Sequence, residues 1–371
     1  MSVGYKAVQW SRPKLVYDTI LLGAVGLYLY GFMAVTAAMD PTAGMHGLHL
    51  RANRTTAFLL LQDILSNAPL NRQSPKFYPL LFNRRHMGVT MILLALIHVN
   101  GWRWLKLPWR WLGASAPRWP IDFNGALTWY HDFGNLDPLV SLLVGNSHYS
   151  SFILFPFEIL GLLALIILFL MAATSHDFWL ANLTAPVWKM LHMSVYGAYG
   201  LLVGHVVLGA LQTNKHPLLT VAVLLGLLWI LTIHLVAGNR EAQRDRSNLY
   251  LNSDEFVEVG RVGDIDNNRA KVVTIAGERV AIFRYDGKIS ALSNVCQHQN
   301  GPLGEGKIVD DCVTCPWHGY QYRPDCGSSP PPFEEKVPTF DVRLEGDRIF
   351  VRTKPNLAGT KVTPAVIVRS A

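Results

Sequence analysis

Six apolar stretches, at about 15–37, 50–68, 87–107, 151–173, 189–213 and 217–237, constrain this chain more than any other feature of it. Each is near the ~20 residues an α-helix needs to cross a bilayer. The first part of the chain therefore reads as an all-α membrane bundle of about six transmembrane helices. The second stretch is the weakest, because Arg51, Arg54, Gln62 and Asp63 interrupt it; for this stretch a re-entrant or interfacial helix competes with a full span.

Charge supports the same division. Through Arg246 there are 18 Lys+Arg against 10 Asp+Glu; from Ser247 onward there are 15 against 16. The basic excess lies in the connections between apolar runs, which points to orientation against anionic lipid and away from nucleic-acid binding. If all six stretches span, both termini share a side carrying eleven cations against seven on the other. That bias places the termini, and the C-terminal part of the chain, in the cytoplasm. The first residues show no signal peptide, since the first apolar run is too long for an h-region and has no small-residue cleavage site. The one long loop on the opposite face, 106–150, holds Trp109, Trp111, Trp119, Trp129 and Tyr130. It reads as an aromatic belt at the headgroups or as a docking surface for a redox partner.

From Phe256 the pattern changes to short alternating runs such as Arg279-Val-Ala-Ile-Phe283, with turn dipeptides Asp286-Gly287 and Glu345-Gly346. This predicts a small all-β domain of antiparallel strands. The expected division is a membrane domain at 1–240, a charged linker at 241–253 and a β domain at 254–371.

Inside the β domain, Cys296-Gln-His298 is followed after sixteen residues by Cys315-Pro-Trp-His318. A Rieske [2Fe-2S] cluster has one iron on two thiolates and the other on two imidazoles, so each of two loops must supply one Cys and one His. This spacing does that. The competing reading is tetrahedral zinc on the same four side chains; zinc fingers, however, usually group Cys with Cys and His with His. The remaining Cys312 and Cys326 read as reduced thiols in a cytoplasmic domain, with a disulfide between them as the alternative.

Histidine inside hydrocarbon needs a partner, so each one in a spanning helix is a functional hypothesis. His86 directly precedes the third stretch, which holds His98, and the fifth holds His192 and His205. At 1.5 Å per residue the pairs are separated by roughly 18 and 20 Å along their helices, and His86 falls level with His192 as His98 does with His205. The geometry permits two b haems, each between two imidazoles, one near each leaflet. The alternative is hydrogen-bonded core histidine, which weighs most for His86, flanked by Arg84 and Arg85; without His86 there is one haem. Gly197, Ala198, Gly200 and Gly204 leave room for a flat macrocycle or for close helix packing. His234, late in the sixth stretch, reads as a satisfied core residue.

Arg84-Arg85-x-x-Gly88 with His98, and Trp188-x-x-Leu191-His192-x-x-Val195-Tyr196 with His205, resemble the ferric-reductase-like transmembrane family. Within that family the likeness is greatest to the haem-binding subunits of bacterial methionine-sulfoxide reductase systems. The resemblance covers about 50–237 and implies b-haem ligation at His98, His192 and His205. His86 departs from the family pattern. The β domain resembles Rieske ferredoxins of ring-hydroxylating dioxygenases through Cys-x-His, Gly301-Pro-Leu303 and Cys-Pro-Trp-His-Gly319. Where quinol-oxidising Rieske proteins carry a disulfide, this sequence has Gly301 and Trp317. Where they place a Ser hydroxyl on a bridging sulfur it has Tyr320, while Tyr322 keeps a hydroxyl for a thiolate. Fewer donors imply a potential in the lower part of the roughly −150 to +300 mV Rieske range.

The sequence has no Rossmann G-x-G-x-x-G and too little chain behind the β domain to house a dioxygenase's mononuclear iron. It reads as a multi-pass electron-transfer protein of the bacterial inner (cytoplasmic) membrane, a subunit of a larger redox system that relays electrons between a Rieske cluster and b haems. The alternative is a quinol-oxidising or ferric-chelate-reducing enzyme acting at a haem edge, with Gln62 and Asp63 lining a quinone pocket.

Overall fold

The computed structural model describes residues 12–100, 150–151, 155–175, 179, 183, 185–213, 217–247, 249–250, 255–298, 300–317, 319–331 and 333–367. The Trp-rich stretch from 106 to 149 and His318 lie outside these residues.

The helical part runs α1 (Arg12–Met39), α2 (Met45–Gln73), a short α3 (Tyr78–Phe82), α4 (Arg84–Asn100), α5 (Phe157–Ala173), α6 (Ala185–Met193), α7 (Val195–His205) and α8 (Pro217–Ser247). Proline sets several of these bounds. Asp40 precedes Pro41 just beyond α1, and Ser74, with φ −150 and ψ 124, precedes Pro75 beyond α2; a residue before proline is pushed out of the helical region. Pro217 opens α8, where a missing N–H costs nothing. Each of the six apolar stretches contains helix. Among the described residues, three segments are long and apolar enough to cross a membrane: Lys14–Met39, Met190–Ala210 and Leu219–Gln243, with Phe157–Ala173 apolar but shorter. The core of this region joins Leu61 and Leu65 of α2, Met87 and Met91 of α4, Ala164 and Leu168 of α5, Tyr199 of α7 and Ile230 of α8. Helix α2 packs along α4, and α5 along α7.

The C-terminal domain is all β. One sheet orders β1 (Leu249–Tyr250), β3 (Arg269–Ile275), β4 (Glu278–Tyr285), β5 (Lys288–Ser293) and β12 (Ala365–Val366), with β9 (Thr339–Phe340) also on β5. A second joins β10 (Val342–Glu345), β11 (Arg348–Arg352) and β2 (Phe256–Arg261); a third joins β6 (Lys307–Val309), β7 (Cys312–Thr314) and β8 (Gln321–Tyr322). Side chains alternate across a strand, and β4 uses both faces. Val280 and Ile282 enter one core with Ile349 and Val351, whereas Ala281, Phe283 and Tyr285 enter another with Val313 and Tyr322. The second core carries Cys296 and Cys315. Asp286 (φ 43) and Gly287 (φ 66) form the expected two-residue hairpin turn, whose left-handed backbone matches strand twist.

Candidate functional site

Two loops carry the cysteine and histidine motifs, one between β5 and β6 and the other between β7 and β8. Their backbones close in the same way. Asn300 N–H donates to the Cys296 carbonyl and Cys296 N–H to that of Gly301; Gly319 N–H donates to the Cys315 carbonyl and Cys315 N–H to that of Tyr320. In both loops the residue four after the cysteine takes a left-handed backbone, Asn300 at φ 57 and Gly319 at φ 72, a conformation open mainly to Gly and Asn. The two cysteines thus occupy equivalent positions.

The loops interlock. A Cβ added to Gly301 would lie 2.7 Å from Cys315 Sγ and 3.2 Å from the Trp317 ring, so the second loop's sulfur rests against the first loop's backbone. The His298 ring stacks on Tyr320 at 4.4 Å and 10°. Both sulfurs are buried. Tyr322 Oη lies 3.4 Å from Cys296 Sγ, the thiolate contact expected of it. Burial first, and the Cys296 sulfur second, push this hydroxyl above its ordinary pKa, so it stays protonated as a donor. The Tyr320 hydroxyl instead donates to Glu335. Cys312 and Cys326 are not disulfide-bonded, and burial pushes the Cys312 thiol up to about 11. Among the described residues no three Cys, His, Asp or Glu side chains gather at metal-ligand distance; His318, the expected fourth ligand, lies outside them.

In the helical region His86 and His98 lie on α4, His192 on α6 and His205 at the end of α7. His205 Nδ1 is 2.8 Å from the Phe157 carbonyl, and His192 Nδ1 is 3.1 Å from that of Trp188, on whose ring it stacks at 3.4 Å. Donation from Nδ1 fixes the tautomer and leaves Nε2 basic, the usual state of an iron-bound imidazole. His192 Nε2 faces the Ser175 hydroxyl at 3.3 Å. His98 Nδ1 is buried without a hydrogen bond, and His205 lies in its electrostatic neighbourhood. His86 Nδ1 is 2.7 Å from Asp18 Oδ1 of α1, an arrangement that suits an oriented ligand as well as an ion pair. His234 uses both ring nitrogens, on Tyr196 Oη and the Ile230 carbonyl, as a core histidine does.

Helices α4 and α7 pack on α5 more than on each other. A Cβ at Gly88, Gly197 or Gly200 would meet nothing within 4 Å, whereas one at Gly204 would lie 3.1 Å from Leu160 Cδ1, and Ala198 is fully buried. Imidazoles held at Nδ1 with Nε2 available are the donor set that a haem iron takes. Sequence reasoning missed the π-helical turn Val206–Ala210 directly after His205, a distortion that often marks functional sites. It also missed Asp18, Ser175 and the Phe157 carbonyl, because their contacts come from other helices.

Comparison with known proteins agrees with this division. The family model "Rieske [2Fe-2S] domain" matches residues 255–341, and "Ferric reductase like transmembrane component" matches residues 54–203. The chain carries a ferric-reductase-like transmembrane region followed by a Rieske [2Fe-2S] domain, which supports an iron-sulfur cluster and a membrane oxidoreductase or electron-transfer role. Cholesterol 7-desaturase nvd 1 of Ciona intestinalis is 41% identical over 78 residues, 20% of this chain and 17% of that protein. The ferredoxin component of the alkene monooxygenase system of Xanthobacter autotrophicus is 28% identical over 102 residues, 27% of this chain and 84% of the component. Among solved structures, the ferredoxin of carbazole 1,9a-dioxygenase from Nocardioides aromaticivorans matches 27% of this chain and 100% of its own at 23% identity, with a TM-score of 0.26. The chain spans less than a fifth of the cholesterol 7-desaturases it matches.

Proposed function

We propose that this protein relays single electrons between a [2Fe-2S] cluster and b haems across a membrane, as a subunit of a larger redox system. In this reading Cys296, His298, Cys315 and His318 hold the cluster. His98 with His205, and His192 with His86, hold two haems, or one if His86 serves only Asp18. The membrane domain is 1–240 with six spans, 241–253 links it to the Rieske domain at 254–371, and that domain lies on the cytoplasmic side of a bacterial inner membrane. A redox partner docks at 106–150.

When bound, such a cluster and such haems each take up and release one electron. The chain's own groups set how readily. Tyr322 donates toward the Cys296 sulfur, which favours the reduced, more negative state. Phe157 and Trp188 orient the His205 and His192 rings through their carbonyls and strengthen them as donors at Nε2. The observation that carries the reading is this Nδ1 anchoring of two membrane imidazoles in a chain that also bears the two equivalent cysteine loops.

Optical and EPR spectra of the purified protein test it. The expected result is one Rieske signal with two low-spin bis-imidazole b-haem signals; a single haem removes His86 from the ligand set. A β domain that binds zinc, or a protein without haem, overturns the relay.

A further inference from the structure

The described residues join the helical region to the β domain beside the cluster loops. Arg72 Nε, in the last turn of α2, donates to Glu305 Oε1 at 2.8 Å; Glu305 ends the 3-10 turn that closes the first loop. The Arg84 guanidinium, at the start of α4, lies 5.4 Å from the centroid of the Trp317 ring, and Trp317 stands between Cys315 and His318 in the second loop. At the far end of α8, Glu241 pairs with Arg279 of β4. Each loop therefore has its own arginine from the helical region.

Arg84 holds a central position among these contacts. Cys315, Glu305, Tyr196 and Arg85 make up its electrostatic surroundings, and His192 has Arg84 and Arg85 in its own. A guanidinium stacked on an indole keeps its charge while its flat face covers apolar surface. Glu305, the carboxylate among these surroundings, is engaged by Arg72 at 2.8 Å, which offsets that negative charge at the same tip.

We propose that Arg84 is a positioning residue that holds the second cluster loop against the helical region through Trp317, with the Arg72–Glu305 pair holding the first loop, and that its fixed positive charge favours the cluster's extra electron only in this docked arrangement. The inference rests on the electron-relay reading. It adds that transfer between the two regions runs through a fixed contact, without travel of the β domain. Tyr320 gives its hydroxyl to Glu335, and Arg84 brings a positive charge to the same loop from the helical region.

The test is an EPR-monitored redox titration of the whole purified protein in wild type, Arg84→Gln, Arg84→Lys, Arg72→Glu and Arg72→Glu with Glu305→Arg. Arg84→Gln is expected to shift the reduced-to-oxidised ratio of the cluster at a fixed potential at least tenfold toward oxidised, a midpoint lower by about 59 mV for one electron. Arg84→Lys recovers part of the shift. Arg72→Glu moves the midpoint the same way, and adding Glu305→Arg restores it. An Arg84→Gln midpoint within twofold of wild type in that ratio, with iron content and g-values unchanged, overturns the proposal. If Arg84→Gln loses its cluster, the charge swap decides: a double variant no better than Arg72→Glu alone is equally fatal. The readout is the cluster's own signal, so absence of haem would sink the relay and leave this result standing.

Discussion

The two halves of this molecule bury apolar side chains in opposite ways. In β4, Val280, Ala281, Ile282 and Phe283 are all 0% exposed, whereas in α8 Leu228 is 59% and Leu235 73% exposed. The outer surface of the β domain is instead laced with ion pairs such as Arg261–Asp347 and Lys271–Asp264. A water-soluble domain hides its apolar residues and shows charge. A helix that shows Leu outward over its length has lipid as its solvent. One chain therefore needs two sequence grammars, continuous apolar runs for the first half and two-faced strands for the second.

The strongest way to break the comparison is to remove a proposed cofactor ligand from each half in turn. Cys296→Ser is expected to abolish the Rieske EPR signal and lower the thermal midpoint of the β domain, since ligand binding is part of its folding free energy. The haem spectrum of that variant is expected to stay intact. His205→Ala is expected to remove a b-haem signal and leave the Rieske signal in place. Loss of both signals from either single change would show that the halves fold as one unit.

A smaller effect comes from making the same substitution on each surface. Leu228→Lys puts a charge where α8 faces lipid and should cost about 3 kcal/mol in membrane insertion. Leu357→Lys, at a position 86% exposed in the β domain, should stay within about 0.5 kcal/mol. Insertion assays and thermal melts in detergent measure the pair. Equal outcomes would remove the distinction between lipid-facing and water-facing leucine.

Packing of the cluster loops gives a further graded test. A Cβ on Gly306 would lie 2.1 Å from the Thr314 carbonyl oxygen, which backbone cannot yield without moving. Gly306→Ala is expected to destabilise the β domain by about 1–3 kcal/mol and to lower its cluster content, with the helical region unaffected. Calorimetry with iron quantification decides it, and an unchanged melt would mean that the turn at 303–306 relaxes freely.

What was legible in the sequence follows from where each signal lies. The Asp286-Gly287 hairpin and the Cys/His spacings were readable because turn chemistry and ligand spacing are local, whereas the Tyr322 contact followed from the resemblance to Rieske proteins. The equivalence of the two loops was not visible: the matching left-handed positions carry different residues, Gly319 and Asn300. The break at Ser194 between α6 and α7 and the π-helical turn after His205 interrupt a run whose apolar pattern does not change. Contacts across the fold left no trace in any periodicity. Arg72 and Glu305 are 233 residues apart, and each alone reads as an ordinary surface charge. Asp18 is likewise a lone acid in the sequence of α1, and only the fold brings His86 to it.

The smallest expected effect distinguishes the halves by pH. Asp264 accepts the Arg261 backbone N–H at 3.0 Å and the Lys271 ammonium at 3.1 Å, and these contacts, the backbone one first, hold its carboxyl below the ordinary carboxylate range. A lowered folded-state pKa means that the unfolded chain binds the proton more readily. The stabilisation is therefore present above the unfolded value near pH 4 and fades as pH falls through the lower folded value. The carboxylate is exposed, so water and salt screen the effect and it should be slight. Melts of the β domain between pH 6 and pH 3 should show a decline that Asp264→Asn flattens at the acidic end, while α8, whose Leu219–Val236 stretch carries no acidic side chain, shows no matching slope. A variant that declines as steeply as wild type would remove Asp264 as the source of the acid sensitivity.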